Sequence, residues 1–257
     1  MIKYSDSEGI IRISGIHKDN KRIDIKLPSV AIGVFSRYLY QDIIEKFPST
    51  EVGYFSCANY NSNVYIIKYK NTEITFFMAN VSAPRIADNI EQLKVNGVKT
   101  FIIFGNCGVL DKNIEDCSII IPTMGYREEG TSYHYIEDSE TIDMNKKYIN
   151  EFIDILNEKQ FNYATGYTWT TDAPYRETRE KIEYFKNKGC LCVEMEGTAI
   201  AAVCQRLNLD YFTFYYAGDN LDSVEWEERS LSGLTKFEVK QNVTYLALEL
   251  AVKILNK

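Results

Sequence analysis

The six residues Cys192-Val193-Glu194-Met195-Glu196-Gly197 place two carboxylates between an apolar run and a helical pattern. Residues 191–193 are typical of the last residues of a buried strand. The apolar residues after Gly197 recur at the i, i+3, i+4, i+7 spacing of an amphipathic helix, at Ile200, Val203, Cys204 and Leu207. The stretch therefore predicts a strand that leads directly into a helix, with both carboxylates at the junction.

The two carboxylates of this junction suit the recognition of a sugar. Glu194 and Glu196 are two positions apart, so on an extended chain they project to one side and Met195 to the other. A carboxylate beside a helix N-terminus is expected to stay ionised, because unpaired backbone N–H groups and the helix dipole favour the anion. It can then accept hydrogen bonds from two neighbouring sugar hydroxyls and stabilise positive charge on a sugar ring. The alternative interpretation is that acidic residues simply favour the first turn of a helix.

Outward from this junction, strands and helices alternate along all 257 residues, without a linker rich in proline, glycine or serine. The apolar runs predict strands over residues 10–13, 23–25, 29–33, 51–58, 64–69, 73–78, 100–104, 118–122, 163–170, 191–193 and 210–217. Helical periodicity predicts amphipathic helices between them and a long helix at the C-terminus. This order favours one α/β domain over residues 1–257.

The composition excludes several classes of function. With 29 basic and 36 acidic residues, the net charge of −7 argues against general affinity for nucleic acid or an anionic membrane. The six cysteines lack the paired spacing of a zinc site, and only two histidines are present, so no metal centre is predicted. The N-terminal sequence has no apolar signal core and no segment has the length of a membrane span, which predicts a cytoplasmic protein.

Two glycine-containing stretches suggest further walls of a site. Gly33 ends a predicted strand and is followed by Arg37, and backbone N–H groups with a guanidinium can face one oxyanion. Gly105-Asn106-Cys107-Gly108 follows the buried strand over residues 100–104 and is expected to form a turn. Because ligands in α/β sheets bind beyond the carboxyl ends of strands, this turn is a second candidate wall. Neither glycine pattern is specific by itself, since glycine is common in turns.

Four motifs taken together resemble one known family. Gly105-Asn-Cys-Gly108, Arg127-Glu-Glu-Gly-Thr-Ser-Tyr-His-Tyr135, Trp169-Thr-Thr-Asp-Ala-Pro-Tyr-Arg176 and Val193-Glu-Met-Glu196 occur in the order seen in nucleoside phosphorylases of the uridine phosphorylase and trimeric or hexameric purine nucleoside phosphorylase type. The resemblance implies an α/β fold with a mixed, partly closed sheet flanked by helices, assembled as a homodimer or hexamer. It also implies phosphorolysis of a nucleoside by inorganic phosphate as co-substrate, without a cofactor.

The resemblance also assigns roles to residues of the sugar and base sites. It implies that Glu196 binds the ribose hydroxyls and takes part in catalysis, that Met195 packs against the sugar and that Glu194 supports this wall. Asp219 matches an aspartate that protonates the departing purine, although it can equally be a cap in the Gly-Asp-Asn turn. Arg179 lies near the position where uridine phosphorylases hold the pyrimidine carbonyls, but the glutamine that accompanies it there is missing.

The phosphate site departs from the family pattern. The resemblance places Gly33, Arg37 and Asn106 at the phosphate. A second family arginine falls at Ile103, a third falls near Asn59-Tyr60-Asn61, and Arg85 is a candidate replacement for one of them. Losing charge-assisted contacts costs about 1.5 to 3 kcal/mol each. Three hypotheses therefore stay open: a phosphorylase with an altered phosphate pocket, a nucleoside hydrolase on the same fold, and a nucleoside-binding protein without turnover.

Overall fold

The computed structural model describes residues 4–58 and 60–257. Within these residues it contains twelve strands and six α-helices, with two short 3-10 helices at Ser132–His134 and Pro174–Arg176. In chain order the elements are β1 (His17–Lys18), β2 (Lys21–Arg22), β3 (Val30–Val34), α1 (Arg37–Lys46), β4 (Ser49–Phe55), β5 (Ser62–Tyr69), β6 (Thr72–Met78), α2 (Ala83–Val95), β7 (Thr100–Val109), β8 (Ile119–Glu128), β9 (Thr141–Asp143), α3 (Ile149–Glu158), β10 (Tyr163–Thr171), α4 (Arg179–Asn187), β11 (Cys190–Glu194), α5 (Gly197–Arg206), β12 (Asp210–Asn220) and α6 (Phe237–Leu255).

All of these strands belong to one mixed sheet, which is closed at one end. The order is β11-β10-β8-β12-β7-β3-β6-β5-β4-β1-β2, with β9 paired to β8. Strand β11 also pairs with β7, so β11, β10, β8, β12 and β7 close into a five-stranded barrel. The pairing of β3 with β7 is parallel, whereas that of β5 with β6 is antiparallel. The predicted fold, a mixed and partly closed sheet flanked by helices, is confirmed.

Helices cover both faces of the sheet and build two large apolar clusters. One cluster lies under α1, α3 and α6, where Phe104 and Phe214 stack with ring centroids 5.1 Å apart. The other lies under α2 and α5 and includes Ile90 and Ile103. Helix α5 is buried at every position from Gly197 to Cys204. Its N-terminus therefore lies in the protein interior, with the two glutamates of the β11–α5 junction beside it.

Three predicted features are wrong. Residues 10–13 and 23–25 form no strand, and Ile10 and Ile11 are almost fully exposed. The expected turn at residues 105–108 is instead the second half of β7. This strand continues because β12 pairs with it along its length and β11 pairs with Gly108 and Val109. The predicted strand over 118–122 likewise extends as β8 to Glu128.

Candidate active site

A cavity of about 230 Å³ lies where β7, β11 and β12 meet the N-terminal ends of α2 and α5. Its lining contains four acidic side chains, Glu177, Glu194, Glu196 and Asp219. A second cleft, of about 400 Å³, lies beside Tyr69 and Tyr245, but its one carboxylate, Glu249, already accepts from Lys70 and Tyr69. The carboxyl-rich cavity is therefore the candidate active site.

Glu194 is buried and receives four hydrogen bonds. Its Oε1 accepts from the hydroxyls of Thr168 at 3.2 Å and Thr170 at 2.5 Å. Its Oε2 accepts from the backbone N–H groups of Glu196 at 2.7 Å and Gly197 at 2.5 Å, which lie at the start of α5. Burial raises the pKa of Glu194, while these donors oppose the rise. Four donors fix the carboxylate firmly, so Glu194 orders the β11–α5 junction.

Glu196 has one oxygen bound and one available. Its Oε1 accepts from the backbone N–H of Ser82 at 2.6 Å, and among the described residues no side chain donates to Glu196. Burial, reinforced by the charge of Glu194, raises the pKa of Glu196 to about 8, while backbone hydrogen bonds from Ser82 and Met195 oppose the rise. The expectation that this carboxylate stays ionised is therefore wrong. The helix N–H groups that would hold its charge are bound to Glu194 instead.

Ser82, at the start of α2, contacts Glu196 of the β11–α5 junction. It occupies the N-cap position of this helix, but its side chain makes no capping bond. Its φ of 93° lies in the region that residues with a side chain rarely adopt. In this conformation its N–H donates to Glu196. The backbone strain at Ser82 thus coincides with the contact that orients Glu196.

Asp219 also lines the cavity and is held by a tryptophan. The indole Nε1 of Trp226 donates to Asp219 Oδ2 at 2.7 Å. Burial raises the pKa of Asp219, and the bond from Trp226 opposes the rise. Asp219 is part of β12 rather than a helix cap, so the capping alternative is excluded. Its second oxygen is available to a ligand.

Glu177 is a cavity residue that sequence reasoning missed. It directly follows the 3-10 helix Pro174–Arg176 and is half-buried. Burial and the neighbouring charge of Asp219 raise the pKa of Glu177 to about 7, and Lys181 opposes this rise. Extending the Trp169–Arg176 motif by one residue would have found it. Glu177 and Asp219 therefore form an interacting pair of carboxyl groups at one end of the cavity.

Arg179 does not line the cavity. Its guanidinium donates to the carbonyl oxygens of Leu221 at 2.7 Å and Val224 at 3.2 Å. These carbonyls belong to the loop that carries Trp226. The predicted contact of Arg179 with the base therefore has no support in the geometry, and its visible role is to hold this loop.

Of the three predicted phosphate ligands, the structure brings only Asn106 to the cavity. Gly33 lies inside β3, and a Cβ at this position would come within 2.5 Å of the Phe77 ring, so close packing explains the glycine. Arg37 begins α1, is exposed and lies 5.4 Å from the centre of the Tyr38 ring. The strand-to-helix turn is formed by Phe35 and Ser36 instead of Gly33.

No lysine or arginine of the described residues lines the cavity. Ile103 is buried in an apolar cluster, and Arg85 pairs with Asp88 at 3.2 Å outside the lining. In the segment expected to hold a third arginine, the Tyr60 hydroxyl donates to Asn80 at 3.2 Å, and Asn59 lies outside the described residues. Within one chain the cavity is therefore strongly acidic.

The buried cysteines of the described residues do not form a metal-binding cluster. Cys107, Cys117, Cys190, Cys192 and Cys204 are buried and form no disulfide. Over residues 4–58 and 60–257, no three His, Cys, Asp or Glu side chains are arranged to hold a metal ion. Across the same residues, no helix has both the length and the apolar character needed to cross a membrane.

Comparison with known proteins identifies relatives of the sequence. The sequence model of the phosphorylase superfamily matches residues 29–256. The chain is 26% identical over 141 residues to a guanosine phosphorylase of Halorubrum lacusprofundi, which covers 55% of this chain and 58% of that protein. It is 26% identical over 195 residues to a DeoD-type purine nucleoside phosphorylase of Shewanella oneidensis, covering 73% and 78%. The match spans less than two-thirds of the Halorubrum protein.

Solved structures share the fold. A purine nucleoside phosphorylase from Toxoplasma gondii superposes with a TM-score of 0.78 at 18% identity, covering 96% of this chain and 98% of that one. A uridine phosphorylase from Vibrio fischeri superposes with a TM-score of 0.73 at 18% identity, covering 90% and 93%. At this identity the likeness establishes the architecture and leaves substrate and mechanism open.

Proposed function

This chain belongs to the phosphorylase superfamily, and from that premise we propose that it cleaves the N-glycosidic bond of a ribonucleoside with inorganic phosphate. The products are the free base and ribose 1-phosphate, and no cofactor takes part. One observation carries the proposal: a single cavity is lined both by Glu194, Met195 and Glu196 and by Asp219. A nucleoside has the matching polarity, with a diol at one end and basic ring atoms at the other.

The sugar would lie against Met195, with its hydroxyls on Glu196. In the free protein Glu196 has a pKa of about 8, so at pH 7 it is mainly protonated. As the glycosidic bond breaks, the sugar gains positive charge, which favours the ionised carboxylate beside it. The attraction is strong in a site of low dielectric. Because it is greater in the transition state than in the bound substrate, it lowers the barrier.

The departing base requires a proton or hydrogen bond at the opposite end. Asp219 has one oxygen held by Trp226 and the other available. The pKa of Glu177, raised to about 7 by burial and by the charge of Asp219, keeps a proton on this pair near neutral pH. A general acid works best when its pKa lies near the working pH. We assign the acid role to Asp219, with Glu177 as its coupled neighbour.

Hydrolysis is the second candidate, and the acceptor side of the cavity favours it. Four carboxyl groups and no lysine or arginine of the described residues line the cavity. A phosphate dianion is repelled by carboxylates, whereas water is not. Phosphorolysis would need cations from outside this lining, such as Arg37 after a side-chain movement or an arginine of a neighbouring subunit. Assembly as a homodimer or hexamer is therefore part of the phosphorolysis proposal.

One assay tests both candidates. The protein is incubated with purine and pyrimidine nucleosides, with and without phosphate, and the sugar product is identified. Ribose 1-phosphate formed only with phosphate supports phosphorolysis, and free ribose formed without it supports hydrolysis. The Glu196→Gln variant should lose activity by at least about 100-fold, because it cannot provide the negative charge. An exposed control, Glu225→Gln, should keep it. Activity unchanged in Glu196→Gln would remove this residue from the site.

A further inference from the structure

Tyr215 presents a buried hydroxyl group that the protein itself does not use. The side chain lies on β12, is 1% exposed and lines the carboxyl-rich cavity. Its Oη is buried and has no hydrogen-bond partner in the structure. Buried polar groups nearly always have a partner, so an unpaired hydroxyl at a cavity wall points to a contact with a ligand.

The position of the hydroxyl is fixed by its contact with the start of α5. A Cβ atom at Gly197 would lie 2.4 Å from Tyr215 Oη and 2.8 Å from Glu194 Oε1. The lack of a side chain at Gly197 therefore allows the Tyr215 hydroxyl to lie beside the start of α5 and near Glu194. Glu194 does not require this hydroxyl, because its two oxygens already accept from four other donors.

The neighbouring polar groups leave the Tyr215 hydroxyl free to donate. Thr213 is nearby on the same strand, but its hydroxyl donates to the carbonyl oxygen of Ile103 at 2.9 Å. Burial and the charges of Glu194, Cys192 and Glu196 favour the neutral phenol, so the pKa of Tyr215 lies well above its usual value. Tyr215 is therefore a hydrogen-bond donor throughout the neutral pH range.

A sugar hydroxyl needs both an acceptor and a donor when it is buried. Once Glu196 is ionised, as the positive charge on the sugar favours, its Oε2 can accept the proton of such a hydroxyl, but a carboxylate cannot donate to the hydroxyl oxygen. We propose that Tyr215 supplies this missing donor, binding a ribose hydroxyl oxygen beside Glu196 and so selecting ribonucleosides over their deoxy analogues. The inference rests on the proposed nucleoside site and adds a residue that determines sugar specificity.

The test combines deletion of the protein hydroxyl with deletion of the substrate hydroxyls. Tyr215→Phe is assayed with a ribonucleoside and its 2′-deoxy and 3′-deoxy analogues, and the same three ligands are titrated by calorimetry. With the ribonucleoside, kcat/KM and affinity should each fall about tenfold, the effect of one hydrogen bond to a buried group. With the analogue that lacks the bonded hydroxyl, the variant and the wild type should be equal. The melting temperature should not fall, because no bond within the protein is lost.

The control is Tyr216→Phe on the same strand. Its ring packs in the cluster under α1, α3 and α6, on the opposite face of the sheet, so all three ligands should behave as with the wild type. Equal losses for all three ligands in Tyr215→Phe would overturn the inference. A lower melting temperature with unchanged specificity would also overturn it and indicate a bond to Thr213.

Failure of the proposed reaction gives a different result. If no nucleoside is cleaved but Tyr215→Phe weakens binding of the ribonucleoside alone, the result supports the sugar contact and rejects the proposed cleavage reaction. Absence of both cleavage and binding would overturn the inference together with the sugar site.

Discussion

The two sides of the cavity are built very differently. On the proposed sugar side, Glu194 accepts four hydrogen bonds, two from strand β10 and two from the N-terminus of α5, and Glu196 is oriented by Ser82. On the acceptor side, Asn106 is the one predicted phosphate ligand in the lining, and Arg37 is exposed outside it. The proposed sugar site thus takes these hydrogen bonds from one chain, whereas the proposed acceptor side has no lysine or arginine of the described residues in its lining.

The strongest way to break the sugar side is Glu194→Gln. Four donors surround this carboxylate, and an amide group places its own donors against some of them. We expect a loss of about 3 kcal/mol in the free energy of unfolding, together with loss of activity. Urea denaturation followed by circular dichroism measures the first quantity.

The matched control for this change is Thr168→Val, which removes one donor of the four. It should cost about 1 kcal/mol and keep partial activity. A Glu194→Gln variant as stable as the wild type would mean that Glu194 is protonated in the folded protein.

The carboxyl pair at the base end predicts a pH effect of intermediate size. Glu177 has a pKa of about 7, raised in part by Asp219, so the pair loses its last proton near neutral pH. If this proton goes to the base, kcat/KM decreases above pH 7. Both Glu177→Gln and Asp219→Asn remove one charge of a coupled pair, so each should move this decrease to lower pH.

The same variants separate the two residues by rate. Asp219→Asn should lower kcat/KM at least about 100-fold as loss of the acid, and Glu177→Gln about tenfold as loss of its neighbour. Glu225→Gln, a charge deletion at an exposed position of the Trp226 loop, provides the control profile. A Glu177→Gln profile that coincides with the wild type would show that the two carboxyl groups are not coupled during turnover.

The smallest effect is expected on the acceptor side. Arg37 is exposed, so its contribution to phosphate binding is screened by water, and Arg37→Ala should raise the KM for phosphate by no more than about fivefold. The KM for the nucleoside should stay the same. Lys46→Ala, at the other end of α1, is the control. A much larger rise in the KM for phosphate would mean that Arg37 enters the cavity when phosphate binds.

Some predictions from local patterns and from motif order agree with the structure, although the strands predicted over residues 10–13 and 23–25 do not form. The β11–α5 junction was predicted from apolar periodicity, and the structure places it as expected. The mixed, partly closed sheet followed from the resemblance to a family and is confirmed. In contrast, the expected turn at residues 105–108 was wrong because pairing with β11 and β12, distant in sequence, keeps β7 extended.

The charge state of the site was also beyond the reach of sequence reasoning. A glutamate at a helix N-terminus is expected to be ionised, yet the pKa of Glu196 is about 8. The backbone N–H groups of Glu196 and Gly197 bind Glu194 instead, and desolvation depends on burial by strands and helices from the whole chain. Trp226 and Tyr215 were missed for the same reason, since neither belongs to a local pattern that marks a site, whereas Glu177 directly follows the Trp169–Arg176 motif.

The sequence by itself determined the alternation of strands and helices, the acidic junction of residues 194–196 and the family to which the chain belongs. These depend on side-chain periodicity and on short runs of neighbouring residues, which the order of amino acids contains directly. The tertiary structure alone decided which side chains share the cavity, which carboxyl groups hold protons and which cations stay outside. Such properties arise from burial and from contacts between residues far apart in the chain, because only folding removes water from these groups and brings their partners within bonding distance.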